Sequence, residues 1–572
     1  MKIKKLITFI GIIFFSLSLS ASNLKITSPP EMININTVAE TVDIQFSVSW
    51  ENSWRNDIAG TGYEEPYNHD AIWVFMKYQD SDELWHHVTL RAAGHVMPTG
   101  ADHIVPTDKK GAFIFRDENG FGNINLEEVI LRWDYGFDGI VDLHEINMRI
   151  FAIEMVYVPE GAFYVGNEGL TGDVRGQFYQ IVADPSDYSN PYQIGSENAI
   201  TLGGITEGNL GARDAGLDIA DGFSSTEVLI LPQEYPKGYD AFYCMKYPVT
   251  QKQYVDFLNT LTRRQQKNRT YISTADNVYA MTSTSVVFAD PGNDSPGESY
   301  RNGIRFNPDN FGTNLDSDPP LYFFCDLNEN GVGNEDDDGQ DISCNFLSGE
   351  SNNVSTDLAA YLDWAALRPI TELEFEKAAR GAGQVAGLDI WAGGGDYVST
   401  TNRLVPSDET DYLNGLDDYI LNRNYETETV ANSNHNCAFG LSGRKYGPTR
   451  SGIFARSATN RLESGASYYG IMELSGSLWE RTVSVSIVEG TDVTIPNYSY
   501  TGIHGDGVLN VNGYADVANW PAILGARGGG FGFNQRHIRI SDRAYTNSSW
   551  TSRAGPIRGT RSHGGRGVRT AP

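Results

Sequence analysis

Apolar and polar residues alternate with a period of two along the first part of the chain. Val42, Ile44, Phe46 and Val48 fall on one face, and the residues between them are polar. This pattern is typical of a half-buried β-strand. Similar runs, separated by Gly, Asp and Asn clusters, follow at 72–78, 85–90, 112–115 and 148–158. Together they predict an antiparallel β-sandwich, immunoglobulin-like or fibronectin-like, over residues 23–153.

After residue 153 the pattern changes to short apolar pieces, many glycines and long polar connections. Two helix starts are signalled by capping boxes, in which a threonine is followed three residues later by Gln or Glu: Thr250 with Gln253, and Thr371 with Glu374. A third helix is predicted over residues 356–366 from its apolar spacing. We therefore predict a second domain of the α+β class over residues 154–572.

The N-terminus has the features of a secretory signal. Lys2, Lys4 and Lys5 precede an apolar run over residues 6–17, which is followed by small residues up to Ser22. The run is too short to span a bilayer, and no second long apolar stretch follows. We expect residues 1–22 to be a signal peptide, and the mature protein to be secreted, periplasmic or at the cell surface, with no transmembrane segment.

The charge is strongly negative but uneven. The formal net charge of −30 argues against binding to nucleic acid, because a phosphate backbone would be repelled. From Arg527 onward, however, the chain has nine arginines, no lysine and a single acid, Asp542. Arginine without lysine indicates forked hydrogen bonding in this segment.

The four cysteines are an even set, which in an exported protein is compatible with two disulfide bridges in three connectivities. We favour a bridge between Cys325 and Cys344, and leave the pairing of Cys244 and Cys437 open.

The segment between Cys325 and Cys344 has the spacing of a calcium loop. Oxygen-bearing side chains stand at positions 1, 3 and 5, glycine at 6 and a carboxylate at 12: Asp326, Asn328, Asn330, Gly331 and Asp337. The flanking sequence is not helical as in an EF-hand. Calcium binding and a solvated acidic loop are both compatible with this pattern.

Five separated segments carry a family resemblance. They are Met155 to Gly166, Tyr247 to Tyr254, Arg368 to Glu376, Tyr469 to Glu480, and Arg527 to Phe531. Their order and residues resemble those of the formylglycine-generating enzyme (sulfatase-modifying factor) family. The resemblance implies an irregular fold related to C-type lectins, preceded here by the β-sandwich, and it implies bound calcium.

Active members of that family oxidise a substrate cysteine with two cysteines of their own near the C-terminus, which bind copper. Here no cysteine follows Cys437, and residues 533–543 contain no thiol. Because Cu(I) needs soft sulfur ligands, we do not expect copper. The ten histidines are scattered, and His86 and His87 would point to opposite faces of a strand, so we do not expect iron either.

The resemblance also carries over individual sites. Calcium would be held by Ser475, Gly476, Leu478 and Glu480, the alternative being a Glu480 that pairs with a C-terminal arginine; Asn424 matches half of a second calcium site. A ligand cleft would be lined by the set Phe533, Arg536, His537, Arg539, Asp542 and Arg543. The alternative for these arginines is pairing with acids inside the fold.

These observations predict a non-catalytic, calcium-stabilised binding or assembly protein whose partner is an extracellular polymer or protein. The competing hypothesis is a metal-dependent oxidoreductase of the same family with atypical ligands, such as His537 or Asp542.

Overall fold

The structure is a computed structural model. It describes residues 23–57, 66–167, 176–184, 186–212, 222–223, 225–267, 269, 300–306, 318–327, 331–335, 338–345, 347, 357–382, 423–424, 429–430, 437–439, 447–455, 461–485, 497–521, 525–533, 535–546 and 562–572. The predicted signal peptide, Asn328, Asn330 and Asp337 lie outside these residues.

Strands dominate the described residues. In chain order they are β1 (Lys25–Asn36), β2 (Thr41–Arg55), β3 (Asp70–Gln79), β4 (Trp85–His87), β5 (Ala101–Ile104), β6 (Ala112–Arg116), β7 (Gly120–Trp133), β8 (Asn147–Val158), β9 (Phe163–Val165), β10 (Phe178–Gln180), β11 (Tyr192–Ile194), β12 (Ile200–Gly203), β13 (Leu210–Ala212), β14 (Val228–Leu231), β15 (Phe242–Met245), β16 (Ile304–Phe306), β17 (Phe323–Cys325), β18 (Arg368–Pro369), β19 (Arg423–Asn424), β20 (Thr429–Val430), β21 (Trp479–Thr482), β22 (Gly525–Arg527), β23 (His563–Gly564) and β24 (Gly567–Thr570).

The helices are short. They are α1 (Gln251–Leu258), α2 (Arg263–Lys267), α3 (Asp357–Trp364), α4 (Glu372–Arg380) and α5 (Arg461–Ser464), with 3-10 turns at Ile453–Ala455, Asn497–Ser499 and Gln535–Ile538. Both predicted capping boxes are confirmed: Thr250 caps α1 with Gln253, and Thr371 caps α4 with Glu374. The α+β class is also confirmed at this coarse level.

Strands β1 to β8 lie in two sheets, one of which also contains β15, β18 and β24 of the later chain. A three-stranded sheet has the order β1-β2-β7, and an eight-stranded sheet has the order β18-β24-β15-β8-β3-β6-β5, with β4 paired to β3. The core between them contains the predicted apolar face of β2 together with alternate residues of β3, such as Ile72, Val74 and Met76. Smaller sheets follow: β10-β13-β12-β14, β22-β21-β23 and three two-stranded pairs.

Strand β3 is buried on both faces. Its other set of residues, Ala71, Trp73 and Phe75, belongs to a second core built largely from the later chain, including α1 and α3. Trp73 Nε1 donates a hydrogen bond to the carbonyl of Ala365 at 2.9 Å, just after α3. The near-continuous apolar run of β3 follows from this double burial.

Strand β8 joins the early and late parts of the chain. Residues Asn147 to Val156 pair with β3, and Met155 to Val158 pair with β15. The predicted domain boundary between residues 153 and 154 therefore falls inside one strand of the eight-stranded sheet.

No helix in the described part of the chain is long and apolar enough to cross a membrane.

Candidate functional site

The two C-terminal motif segments of the family resemblance lie against each other. The backbone N–H of Gly476 donates to the carbonyl of Gly528, and that of Phe531 to the carbonyl of Ser477, both at 2.8 Å. Gly476 has a φ of 82°, and a Cβ there would lie 2.5 Å from the carbonyl oxygen of Ala438. This close approach explains a glycine in the turn.

Glu480, the carboxylate that the resemblance assigns to calcium, is bound by an arginine. Arg566 donates from Nε to Oε2 at 2.6 Å and from Nη2 to Oε1 at 2.5 Å, and all of these atoms are buried. Burial alone would lower the pKa of Arg566, but the neighbouring Glu480 carboxylate raises that pKa by more, so the guanidinium stays charged. Both carboxylate oxygens are therefore engaged, and the geometry favours the alternative ion pair over a cation at Glu480.

The remaining predicted ligands of that site would bind a cation through neutral oxygens, which the resemblance assigns to the main chain. Ser475, Gly476 and Leu478 are buried around the turn, and Ser475 has interactions of its own. Without the Glu480 carboxylate this set has no charged ligand for a hard cation. Asn424 lies in β19, and nothing is described of its side chain.

Asp326 is the one predicted side-chain ligand of the calcium loop that lies within the described residues. Its side chain is buried, and Oδ2 accepts a hydrogen bond from the N–H of Gly331 at 3.2 Å. Its Oδ1 is buried without a hydrogen-bond partner among the described residues. A buried carboxylate oxygen without a donor fits a cation ligand, since an unpaired buried charge is costly.

The predicted bridge between Cys325 and Cys344 is wrong for this structure. All four cysteines are free and buried, and none lies within disulfide distance of another. Cys325 is held in β17 opposite Ile304, while the N–H of Cys344 donates to the carbonyl of Val249 at 2.7 Å. Each cysteine is thus fixed by its own backbone partners, outside the narrow geometry that a disulfide requires.

The predicted cleft residues are divided between surface and interior. Phe533, Arg536 and Arg539 are half-buried. His537, Asp542 and Arg543 are buried.

Arg543 belongs to a buried ion-pair network on α4. It donates to Glu372 from Nε at 2.7 Å and from Nη2 at 2.9 Å, and Arg527 bridges Glu372 and Glu376 at 2.9 and 2.6 Å. Burial alone would raise the pKa of Glu372, but Arg543 and Arg527 outweigh it and lower that pKa. The network is the internal pairing that the sequence offered as the alternative to a ligand cleft.

His537 lies in an aromatic cluster. Its ring centroid is 5.8 Å from that of Trp479, 5.6 Å from Phe533 and 5.4 Å from Tyr545. Nδ1 of His537 is 3.5 Å from Oδ2 of Asp542. Neither of these two buried atoms has a hydrogen-bond partner among the described residues.

His563 adds a second imidazole to this cluster. It stacks on Trp479 at 6.4 Å, and its Nδ1 is buried without a hydrogen-bond partner in the described structure. Burial, with a smaller contribution from Arg481, holds the pKa of His563 well below its usual value, so the ring is neutral. We name the set Trp479, Phe533, His537, Asp542, Tyr545 and His563 the His537 cluster.

Sequence reasoning missed His563 and Tyr545. His563 reaches Trp479 through the parallel pairing of β21 with β23, and the sequence contains no spacing signal for that contact.

An open cavity beside the three-stranded sheet β1-β2-β7 could not be predicted from the sequence. The cavity has a volume of about 490 Å³ and is lined by polar groups with two alanines: Asn34, Asn36, Ala39, Thr41, Asp43, Arg91, Ala93 and Arg132. Arg132 pairs with Asp43 at 2.7 Å, and Arg91 with Asp134 at 3.1 Å. Because both guanidinium groups are paired, the cavity offers many hydrogen-bonding groups with little excess charge.

No protein-family model and no curated protein matches the sequence. Membership of the formylglycine-generating enzyme family stays a prediction from the five motif segments.

Proposed function

We propose that this protein is an exported binding or assembly protein, and that it does not oxidise cysteine as the enzymes it resembles do. The proposal rests on one observation: charged groups near the C-terminus are engaged in buried ion pairs. Glu480 is held by Arg566, and Arg543 by Glu372, in buried pairs that serve the fold. No thiol stands in residues 533–543 to bind copper.

The open cavity supports a polymer as the binding partner. Its amide, hydroxyl and guanidinium groups suit the hydroxyl groups of a glycan, which are recognised by dense hydrogen bonding. The side chains of Arg91 and Arg132 are 42% and 36% exposed, so Arg91 is the more accessible of the two cations that line the cavity. We expect Arg91→Ala to weaken retention on immobilised polysaccharide by about tenfold, the equivalent of ~1.4 kcal/mol.

Retention should be compared on neutral and acidic polysaccharides. Lys25→Ala is the matched control, because it removes one exposed positive charge from the same sheet at the other end of β1. Equal retention of the wild-type protein and Arg91→Ala on every polysaccharide that binds would exclude the cavity as the binding site.

Calcium stabilisation is proposed at the loop that contains Asp326. Asp326→Asn should lower the melting temperature in calcium but not in EGTA, because the substitution removes a calcium ligand, and without calcium it removes a buried charge that is unpaired among the described residues. A melting temperature of the wild-type protein that is the same with and without EGTA would contradict calcium binding.

A second function is favoured by the His537 cluster. Nδ1 of His537 lies 3.5 Å from Oδ2 of Asp542, and imidazole and carboxylate groups are ligand types that a transition metal accepts. A metal-dependent oxidoreductase would require stoichiometric copper or iron, lost in His537→Ala. Metal analysis of the wild-type protein and of His537→Ala distinguishes an oxidoreductase from a binding protein.

A further inference from the structure

The β3–β4 turn brings together three metal-ligating side chains. Asp80, Asp82 and His86 each offer one ligand atom, and the three atoms lie within 4.8 Å of one another. Nε2 of His86 is 3.1 Å from Oδ2 of Asp82 and 3.9 Å from Oδ1 of Asp80. One ion at the usual metal–ligand distances of about 2.0–2.2 Å could contact all three after small side-chain movements.

The turn positions these groups before any metal binds. The N–H of Asp82 donates to Oδ1 of Asp80 at 3.0 Å, and the N–H of Leu84 donates to Oδ1 of Asp82 at 2.6 Å. Each carboxylate thus accepts a turn hydrogen bond at Oδ1, and Oδ2 of Asp82 faces Nε2 of His86 at 3.1 Å. His86 pairs with Tyr78 across the two strands and stacks on its ring at 5.1 Å, which fixes the imidazole beside the carboxylates.

The charges at this turn suit a dication. Among the described residues, His86 is the only ion-pair partner of Asp80 and Asp82. Two carboxylates balance the charge of a divalent ion, and the imidazole of His86 adds a nitrogen ligand.

The donor types indicate the class of metal. An imidazole nitrogen is a preferred ligand of zinc and its first-row neighbours, whereas calcium and magnesium favour an all-oxygen shell. The side chains of Asp80, Asp82 and His86 are 27%, 46% and 36% exposed. Three protein ligands at the surface leave a fourth position for water, as in open zinc sites.

We propose that Asp80, Asp82 and His86 form a surface binding site for a divalent first-row transition ion, of which Zn²⁺ is the probe. The ion ties β4 to the end of β3 on the β-sandwich. The site is separate from the His537 cluster and from the loop of Asp326, so it does not depend on the proposed function.

Isothermal titration of the full chain with Zn²⁺, in the presence of 1 mM Ca²⁺, tests the proposal. We expect His86→Ala to weaken the tightest zinc site by about 100-fold, and Asp82→Asn to weaken it to a similar extent. His144→Ala is the matched control, because it removes an exposed imidazole near Asp142 that has no third ligand. It should bind zinc as the wild-type protein does.

Melting temperatures measured without zinc show that the variants are folded, since His86 is half-exposed and its loss opens no cavity. Zinc should then raise the melting temperature of the wild-type protein and His144→Ala, but not of His86→Ala. Equal zinc affinity in the wild-type protein and His86→Ala would overturn the proposal, and would leave the cluster as a simple ion pair. Displacement of the zinc by 1 mM Ca²⁺ would overturn the assigned class of metal.

Discussion

At the scale of single residues, buried charge is the feature that distinguishes this chain. Glu480 and Arg566 are 86 residues apart in sequence and form a bidentate ion pair whose side chains are fully buried. Removing one partner of such a pair leaves an uncompensated charge in the interior, which is far more costly than replacing both. The sequence contained both residues, but only the fold shows that they meet.

Glu480→Gln should therefore destabilise the protein by ~3–5 kcal/mol, because Arg566 keeps its charge and loses its partner. Urea unfolding in EGTA measures this, with the exposed Glu145→Gln as the control. A variant that loses calcium but unfolds in EGTA at the wild-type urea concentration would instead make Glu480 a calcium ligand.

The cysteines give a second prediction at this scale. Burial raises the pKa of Cys244 to about 12 and also raises those of Cys325, Cys344 and Cys437, so the reactive thiolates are scarce in the native protein. We expect no thiol to react with a thiol reagent in the folded protein. Four should react after unfolding in denaturant without reductant. Two thiols in the unfolded protein would show that a bridge exists.

At the scale of elements, features that depend on near neighbours in sequence could be predicted, whereas pairing between distant strands could not. Both capping boxes could be predicted because a helix start depends on residues three positions apart. The boundary at residue 153 was placed by a change in composition, and composition does not reveal that β8 pairs on both sides. The His537 cluster was half predicted, since His563 reaches it from a distant strand.

Helix α3 is docked to the segment 503–516 through Asp363. Its Oδ1 accepts a hydrogen bond from the N–H of Asp506 at 3.1 Å, and its Oδ2 from that of Asp516 at 3.4 Å. Burial, with a contribution from Asp506, raises the pKa of Asp363 to about 7. The folded state therefore keeps this proton to a higher pH than the unfolded state does.

Since the folded pKa is raised, the stability contributed by the protonated carboxyl is complete below about pH 4 and is lost as the pH rises through 7. Between pH 5 and pH 8 this loss amounts to ~2–3 kcal/mol. Asp363→Asn imitates the protonated form, and we expect its unfolding free energy to fall less over this range by that amount. If the unfolding free energies of the wild-type protein and Asp363→Asn changed equally with pH, the raised pKa of Asp363 would be contradicted.

At the scale of the whole molecule, strand β8 joins the early chain to the later chain, because it pairs with both β3 and β15. Trp73 is buried in the second core and donates a hydrogen bond to Ala365, whereas Ile72 on the same strand lies in the first core, shared with β2. The two cores therefore share one strand, and each face of β3 contacts its own core.

Trp73→Ala should cost ~3–5 kcal/mol and increase hydrogen exchange in α3, because it removes the largest side chain at that contact. Ile72→Val is the control for the opposite face and should leave exchange in α3 unchanged. Unaltered protection of α3 in Trp73→Ala would mean that the contact of Trp73 with Ala365 does not stabilise α3.

The central claim, that the protein is a calcium-stabilised binding protein and not a metal-dependent oxidase, is tested most directly by its metal content. Elemental analysis of protein purified without chelator should give at least one equivalent of calcium and no stoichiometric copper or iron. One equivalent of copper or iron, lost in His537→Ala, would contradict the account and place redox chemistry at the His537 cluster.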